Sequence, residues 1–187
     1  SIMRVTKTAV IQAASDIADE KGLNNVSLKV VAERLNIRTP SLYNHIENLD
    51  DLLREVAHNG MHTMNQRMAQ AAIGKSGDTA IKAVAIEYLN YMIEHCVIYE
   101  TIQWATWHGT DETAKIFCEY TDLLKTLILS CHFGTENVSE ILNLLTGFLH
   151  GYTTLQLRYA FSDPQKVRME LTIALDTVLA GIHYKYD

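Results

Sequence analysis

Apolar side chains recur every three or four residues along most of the chain, a spacing that places them on one face of an α-helix. Val10, Ala13, Ala14 and Ile17 form the first such face. The strict alternation typical of half-buried strands is absent, and we therefore predict an all-α fold. The predicted helices span residues 6–21, 28–35, a short segment from 39, 49–72, 79–95, 112–131, 136–161 and 164–183, with a looser stretch at 97–109.

Residues 27–45 predict two short helices joined by a tight turn. Ser27 can cap the first helix through its hydroxyl, and Asn36 can end it because asparagine tolerates the left-handed backbone of such a turn. Thr39 is the predicted cap of the second helix, with Pro40 at the first helical position, where a missing N–H costs nothing. The second helix is rich in hydrogen-bonding side chains, which suits the DNA major groove. The alternative is an ordinary helical hairpin with a solvated second helix.

Polar and basic side chains of this segment are the candidate DNA contacts. Its lysine and arginine suit phosphates, because their charge neutralises the DNA backbone. Its tyrosine and histidine are also expected near phosphates, and the short polar side chains near base edges or the DNA backbone. The predicted set is Ser27, Lys29, Arg38, Thr39, Pro40, Ser41, Tyr43, Asn44 and His45.

The segment from residue 32 to residue 53 resembles the DNA-binding domain of the tetracycline-repressor (TetR) family. The matching signature is an Ala-x-x-Leu helix, the turn, the run Pro-Ser-Leu-Tyr-Asn-His at 40–45, and a helix start with Asp-Leu-Leu. Many members have Phe in place of Ile46 and Lys in place of Leu49, so one expected phosphate contact is missing here. Further on, the tripeptide Trp-His-Gly at 107–109 resembles the one that marks a subgroup of TetR-type C-terminal domains.

The resemblance implies a ligand-responsive transcriptional regulator, a repressor that a small, mostly apolar molecule releases from an inverted-repeat, palindromic operator in double-stranded DNA. It implies a three-helix helix-turn-helix domain at residues 1–48 and a larger helical ligand-binding and dimerisation domain at 49–187. The long helix from Leu49 would then be a lever between them. The alternative is an all-α small-molecule-binding protein or enzyme with a vestigial helix-turn-helix.

The composition is that of a globular protein. The chain has 187 residues, of which 48% are hydrophobic and 20% charged, unlike a disordered chain. No apolar run is long enough to span a membrane and no signal peptide is apparent, so we expect a cytoplasmic protein with no membrane partner. The three cysteines, an odd number without metal-type spacing, predict reduced core thiols.

Charge is distributed unevenly along the chain. The net charge of −6 disfavours nucleic-acid binding at first sight. Up to residue 46, however, six basic residues outnumber four acidic ones: Arg4, Lys7, Lys21, Lys29, Arg34 and Arg38 against Asp16, Asp19, Glu20 and Glu33. A mildly basic N-terminal part can attract DNA through its local field even on an acidic protein.

The last two predicted helices carry the expected dimer interface. The apolar band of the helix at 136–161 is too broad for one neighbour, and Gly147 and Gly151 would let another helix approach closely. Two such helices from each subunit would form a four-helix interface around a two-fold axis, as a reader of a symmetric operator requires. The alternative is that both bands belong to the core of one chain. The predicted interface residues are Leu145, Phe148, Gly151, Leu171, Leu175, Val178, Leu179 and Ile182.

Aromatic and methionine side chains in the middle of the chain predict the effector pocket. A cavity with apolar walls and a few polar tips suits a small, largely apolar molecule. The alternative is that these side chains are ordinary core, since such stripes usually are. The predicted pocket residues are Tyr88, Met92, His95, Trp104, Trp107, His108, Phe117, Tyr120 and Tyr152.

Enzymatic and metal-binding classes find little support. His58 and His62 have the spacing of two metal ligands on one helix face, but no Glu follows His58 as in zinc proteases. Neither a Gly-rich phosphate loop nor a Gly-x-Ser-x-Gly elbow is present. We therefore predict no enzyme, no catalytic residue, no metal and no cofactor.

Overall fold

A computed structural model describes residues 4–160 and 162–187, and within these ranges the chain is helical without strands. The predicted all-α fold is confirmed. The α-helices are α1 Lys7–Lys21, α2 Leu28–Arg34, α3 Thr39–Leu42, α4 Leu49–Ala72, α5 Gly77–Glu94, α6 Cys96–His108, α7 Asp111–Leu129, α8 Val138–Ala160 and α9 Pro164–Tyr186, with 3-10 turns at Leu23–Asn25 and Thr135–Asn137. The expected end of α8 at Phe161 lies outside the described residues.

The chain forms two compact units. The first contains the chain up to Thr63 together with His95–Ile116. In it, α1 packs against α2 and α6, and α2 packs against α3. The inward face predicted for α1 is buried, as are Val31, Leu42 and Leu52. Because α6 belongs to this unit, it shares a core with the helix-turn-helix.

The second unit contains Met64–Glu94 and Phe117–Asp187. Here α8 packs against α9, and both pack against α5. The core includes apolar side chains that repeat every three or four residues along α8 and α9, because one stripe of each helix faces its neighbours. These are Ile141, Leu145, Leu149, Leu171, Leu175, Leu179 and Ile182.

Local side-chain caps explain where several helices begin. The Ser27 hydroxyl accepts a hydrogen bond from the Val30 N–H at 3.2 Å, as the sequence predicts for α2. The prediction that Thr39 caps the next helix is wrong, because Arg38 is the extended residue before α3 and Thr39 is already helical. Pro40 lies in the first turn, where a proline is tolerated.

Residues 97–109 are not the looser stretch that the sequence predicts, because α6 is a regular helix there. Ile98, Ile102 and Ala105 form its buried face, and burial of one helix face outweighs the weak helix propensity of aromatic and β-branched residues.

The cysteines are not core thiols either. Cys118 is exposed, Cys96 and Cys131 are half-buried, and all three are free. In the described part of the chain, none of the helices has both the length and the apolar character needed to cross a membrane.

Candidate nucleic-acid interface

The turn between α2 and α3 has the geometry of a helix-turn-helix. Asn36 has a φ of +53°, the left-handed conformation predicted from the sequence. The Ile37 N–H donates to the Ala32 carbonyl at 3.0 Å, which closes the end of α2. After α3 the chain continues as hydrogen-bonded turns, with the His45 N–H donating to the Leu42 carbonyl at 2.8 Å. We call residues 39–45 the recognition segment.

A single apolar anchor orients the recognition segment. Leu42 is fully buried, and Ile46 behind the segment is also buried, whereas most of the other side chains of this short stretch are exposed. Tyr43 is 56% exposed. Of the nine predicted DNA contacts, Lys29, Arg38, Pro40, Ser41, Tyr43 and Asn44 are exposed, whereas Ser27, Thr39 and His45 are half-buried.

Ion pairs decide which basic residues of this unit are available to phosphates. Arg34 binds Glu20 through two hydrogen bonds of 2.7 and 3.2 Å, which lower the pKa of Glu20 and raise the pKa of Arg34. Lys7 pairs with Glu55 at 3.4 Å. Within the described residues, neither Lys29 nor Arg38 forms an ion pair. The sequence does not distinguish the paired from the free cations, because the partners of Lys7 and Arg34 lie on other helices.

The start of α4 is held by a reciprocal cap between Asn48 and Asp51 that the predicted elements do not include. The Asp51 N–H donates to Asn48 Oδ1 at 2.8 Å, and the Glu47 N–H donates to Asp51 Oδ2 at 2.9 Å. The Asn-x-x-Asp spacing at 48–51 is the available sequence signal, since it is a variant of the capping box. The cap fixes the point at which the recognition segment passes into α4.

The predicted effector residues fall into two aromatic clusters, one in each unit. In the second unit, the Tyr120 ring lies 6.1 Å from Tyr88 and 5.8 Å from Phe117. Met92 is fully buried there, and the half-buried Tyr152 stacks on Phe148.

In the first unit, His108 stacks on Trp104 at 5.0 Å, and His95 Nδ1 donates to Asp19 Oδ2 at 2.8 Å. Trp107 is 86% exposed, so the alternative that both tryptophans are core is wrong for this one.

Most of the predicted dimer residues are covered by their own chain. Five of them are buried within the single chain, and three are half-buried. The buried residues are Leu145, Leu171, Leu175, Leu179 and Ile182, and the half-buried ones are Phe148, Gly151 and Val178. A Cβ added at Gly151 would meet nothing within 4 Å. Other apolar residues of α8 and α9 are exposed instead, namely Leu144, Leu155, Tyr159, Met169, Ile173 and Tyr184.

In the histidine pair of α4, the His58 ring has a hydrogen-bond partner on another helix. His58 is buried and shares a hydrogen bond with Thr113, with 2.6 Å between His58 Nε2 and Thr113 Oγ1. No group of three or more metal-ligating side chains that could hold a metal ion occurs among the described residues.

Comparison with known proteins decides the family. No family model matches the chain. An uncharacterized HTH-type transcriptional regulator of Bacillus subtilis, YobS, is 30% identical over 180 residues, which cover 95% of this chain and 93% of the relative. The chain belongs to the HTH-type transcriptional regulators. A second such regulator, from Mycobacterium tuberculosis, is 25% identical over 167 residues and covers 86% of this chain and 74% of the relative.

Solved structures show that the regulator has the TetR fold. A protein from Rhodococcus sp. RHA1 superposes with a TM-score of 0.82 at 16% identity, over 96% of each chain. A TetR variant from Acinetobacter baumannii AYE in complex with minocycline gives 0.71 at 19% identity, over 98% of this chain and 99% of that one. BioQ with its double-stranded DNA operator gives 0.65 at 18% identity, over 95% and 99%.

Proposed function

We propose that this regulator is a TetR-family repressor that binds an inverted-repeat operator as a homodimer and is released by a small, mostly apolar molecule. The proposal rests on the recognition segment, in which Leu42 is buried and most of the other side chains are exposed. Lys29 and Arg38 are exposed as well, and neither forms an ion pair with another residue that the structure describes. BioQ, of the same fold, is known with its double-stranded DNA operator. Residues 1–48 would read DNA in the cytoplasm.

A second copy of the chain is the proposed occupant of the exposed apolar face on α8 and α9. Leu144, Gly147, Gly151 and Leu155 follow one another at helical spacing on α8, and Ile173 lies on the solvent side of α9. Gly151 leaves open space for another helix. Two recognition segments related by a two-fold axis would match the symmetry of an inverted repeat.

Effector release would follow from a shift between two arrangements of the body, residues 49–187. A ligand can change the populations of the two arrangements only if it binds one of them more tightly than the other. The coupling free energy between two such sites is typically about 1–3 kcal/mol. The minocycline complex of TetR shows ligand binding by a protein of this fold. The Tyr88–Tyr120–Phe117 cluster, with buried Met92, is the proposed apolar contact for this chain. We also propose membership of the subgroup with the Trp-His-Gly tripeptide.

Selection of DNA by the protein itself tests the function. The full chain is equilibrated with a pool of randomised duplexes, and bound sequences are recovered and read. We expect an inverted repeat whose half-sites lie about one helical turn apart, bound at least about a thousandfold more tightly than unrelated DNA. If no duplex sequence is enriched and the amount of DNA retained does not depend on salt, the alternative is favoured, namely a small-molecule-binding protein or enzyme with a vestigial helix-turn-helix.

A further inference from the structure

We propose that Arg54 and His58 are positioning residues, which fasten α4 to the turn between α6 and α7 and so hold the recognition segment in place for operator binding. The inference rests on the proposed DNA-binding function. It also gives a physical role to Gly109 of the Trp-His-Gly tripeptide, which belongs neither to the predicted DNA contacts nor to the predicted effector pocket. We call residues 108–113 the α6–α7 turn. Every residue involved belongs to the first compact unit.

Arg54 holds the end of α6. Its Nε donates to the His108 carbonyl at 3.1 Å, and its guanidinium lies 5.7 Å from the centre of the Trp104 ring. The last carbonyls of a helix have no partner inside the helix and carry its negative dipole end, so a cation there is favourable. The His108 ring stacks on Trp104 and donates through Nδ1 to the Trp104 carbonyl at 3.0 Å. The Trp104 ring therefore interacts with both the Arg54 guanidinium and the His108 ring.

His58 holds the start of α7. It follows Arg54 by four residues, so both side chains leave the same face of α4. Its Nε2 lies 2.6 Å from Thr113 Oγ1, and both residues are buried. The same hydroxyl accepts a hydrogen bond from the Thr110 N–H at 3.0 Å, which ties it to the turn. A buried hydrogen bond of this kind is expensive to lose, because its polar atoms cannot turn to water.

Gly109 allows the end of α6 and the start of α7 to lie close together, so that Arg54 reaches the His108 carbonyl and His58 reaches Thr113. A Cβ at this position would lie 2.5 Å from the Ala105 carbonyl oxygen and 2.8 Å from Thr113 Cβ. Its φ of −76° suits any residue, so the requirement for glycine is steric closeness and not backbone conformation. The tripeptide thus supplies a carbonyl for Arg54, a ring stacked on Trp104, and the close approach that brings Thr113 to His58.

The consequence for DNA binding follows from the position of the two residues on α4. This helix begins at Leu49, four residues after the recognition segment, and Arg54 and His58 lie in its second and third turns. Two contacts one turn apart fix both the rotation and the axial position of a helix. A recognition segment that is already held in its binding position loses less conformational freedom when the protein binds DNA. Loss of the contacts that Arg54 and His58 make with the α6–α7 turn should therefore weaken operator binding without removing any phosphate contact.

A pair of substitutions at Thr113 tests the inference without changing charge. Thr113→Val removes the hydroxyl at nearly constant shape, and Thr113→Ser keeps it. Operator affinity is measured on duplexes selected by the wild-type protein, at a temperature where circular dichroism shows each variant folded. We expect Thr113→Val to bind about tenfold more weakly with an unchanged dependence on salt. Thr113→Ser should bind within about twofold of wild type. Equal binding by the valine variant would overturn the inference.

Hydrogen exchange of the first turns of α4 provides a readout that needs no DNA. Amides of residues 53–58 should lose protection in Thr113→Val and keep it in Thr113→Ser, whereas a merely structural role would lower protection throughout the unit. Unchanged local protection would also overturn the inference. If Thr113→Val does not fold, Arg54→Met replaces it, with Arg54→Lys as its control. If the wild-type protein selects no DNA, the proposed function fails, and hydrogen exchange alone decides whether the fastening exists.

Discussion

The imidazole of His183 donates to the carboxylate of Asp78, with 2.8 Å between Nε2 and Oδ2, and so joins the end of α9 to the first turn of α5. The other ring nitrogen lies 2.7 Å from Asp187 Oδ2. A neutral imidazole has only one N–H, so both hydrogen bonds can form only when His183 is charged. The bonds to Asp187 and to Asp78 accordingly raise the pKa of His183.

The first prediction is a loss of stability as pH rises through the raised pKa of His183. The charged form is favoured in the folded state, so its contribution is complete below the ordinary histidine pKa of about 6.5 and disappears above the folded pKa. His183→Gln keeps one donor but cannot be charged, and should remove this part of the pH dependence. Urea unfolding of both proteins at a series of pH values measures it. Parallel curves for the two proteins would show that the pair contributes nothing.

The second prediction is the opposite pH dependence for His58. Burial lowers the pKa of His58, and the nearby carboxylates of Glu55 and Glu112 only partly offset this. The neutral form is therefore favoured in the folded state, and its contribution is present above about pH 6.5 and lost as pH falls towards the lowered pKa. His58→Gln should flatten the acid limb of the stability curve, as measured by urea unfolding between pH 4 and 7. An acid limb as steep as that of wild type would contradict it.

The third prediction separates phosphate contacts from base contacts. Lys29→Ala should weaken binding to all duplexes alike and reduce the salt slope by about one. Asn44→Ala should weaken binding to the selected operator by about 1–3 kcal/mol, with little effect on unrelated DNA. Fluorescence anisotropy at several salt concentrations distinguishes the two. Lys125→Ala on α7 is the control, because it removes the same charge from another helix. If Lys125→Ala reduces the salt slope as much as Lys29→Ala does, Lys29 is not a specific phosphate contact.

The fourth prediction concerns assembly. Ile173 is 60% exposed, so Ile173→Glu should leave the subunit folded, within about 0.5 kcal/mol, but should dissociate the dimer by placing a charge in its interface. Gly151→Leu should do the same by blocking close approach. Leu175→Glu is not a test of dimerisation, because Leu175 is fully buried in its own chain and the substitution would unfold it. Sedimentation of the wild-type protein at micromolar concentration must show a dimer; a stable monomer would eliminate the interface.

The fifth prediction concerns the effector. A small apolar or aromatic compound from a screened panel should bind and release DNA. Phe117→Ala should lower its affinity, because Phe117 belongs to the proposed Tyr88–Tyr120–Phe117 contact. The free energy of unfolding should fall by no more than about 1 kcal/mol, because half of this side chain already faces solvent. Operator affinity of the free protein should be nearly unchanged. Melting temperature, compound affinity and operator affinity of this variant are the three measurements, and an unaltered compound affinity would remove Phe117 from the pocket.

The α6 segment shows why the boundaries of the helices were only partly predictable. Its aromatic and β-branched residues have weak helix propensity, and the sequence therefore predicts a looser stretch. The helix forms because Ile98, Ile102 and Ala105 are buried in the first unit. Thr39 gives a smaller example, since its neighbour Arg38 takes the extended conformation before α3 even though threonine is the better capping residue.

The sequence alone determined the features that depend on neighbours a few residues away. The period of the apolar residues predicted the helices, Ser27 and Asn36 set the limits of α2, and the recognition segment was identified from its own residues. Each of these is stabilised by a hydrogen bond or a backbone preference within one or two turns, so the local sequence contains the necessary information.

Only the tertiary structure decided which apolar and polar groups meet. Ile173 and Leu175 are both apolar and lie two residues apart, yet one is exposed and the other fully buried, because packing covers only one face of α9. The hydrogen bonds of His58 with Thr113 and of His183 with Asp78 join residues 55 and 105 positions apart. No local pattern encodes such contacts, since they depend on how whole helices pack, and packing is set by the combined burial of many side chains.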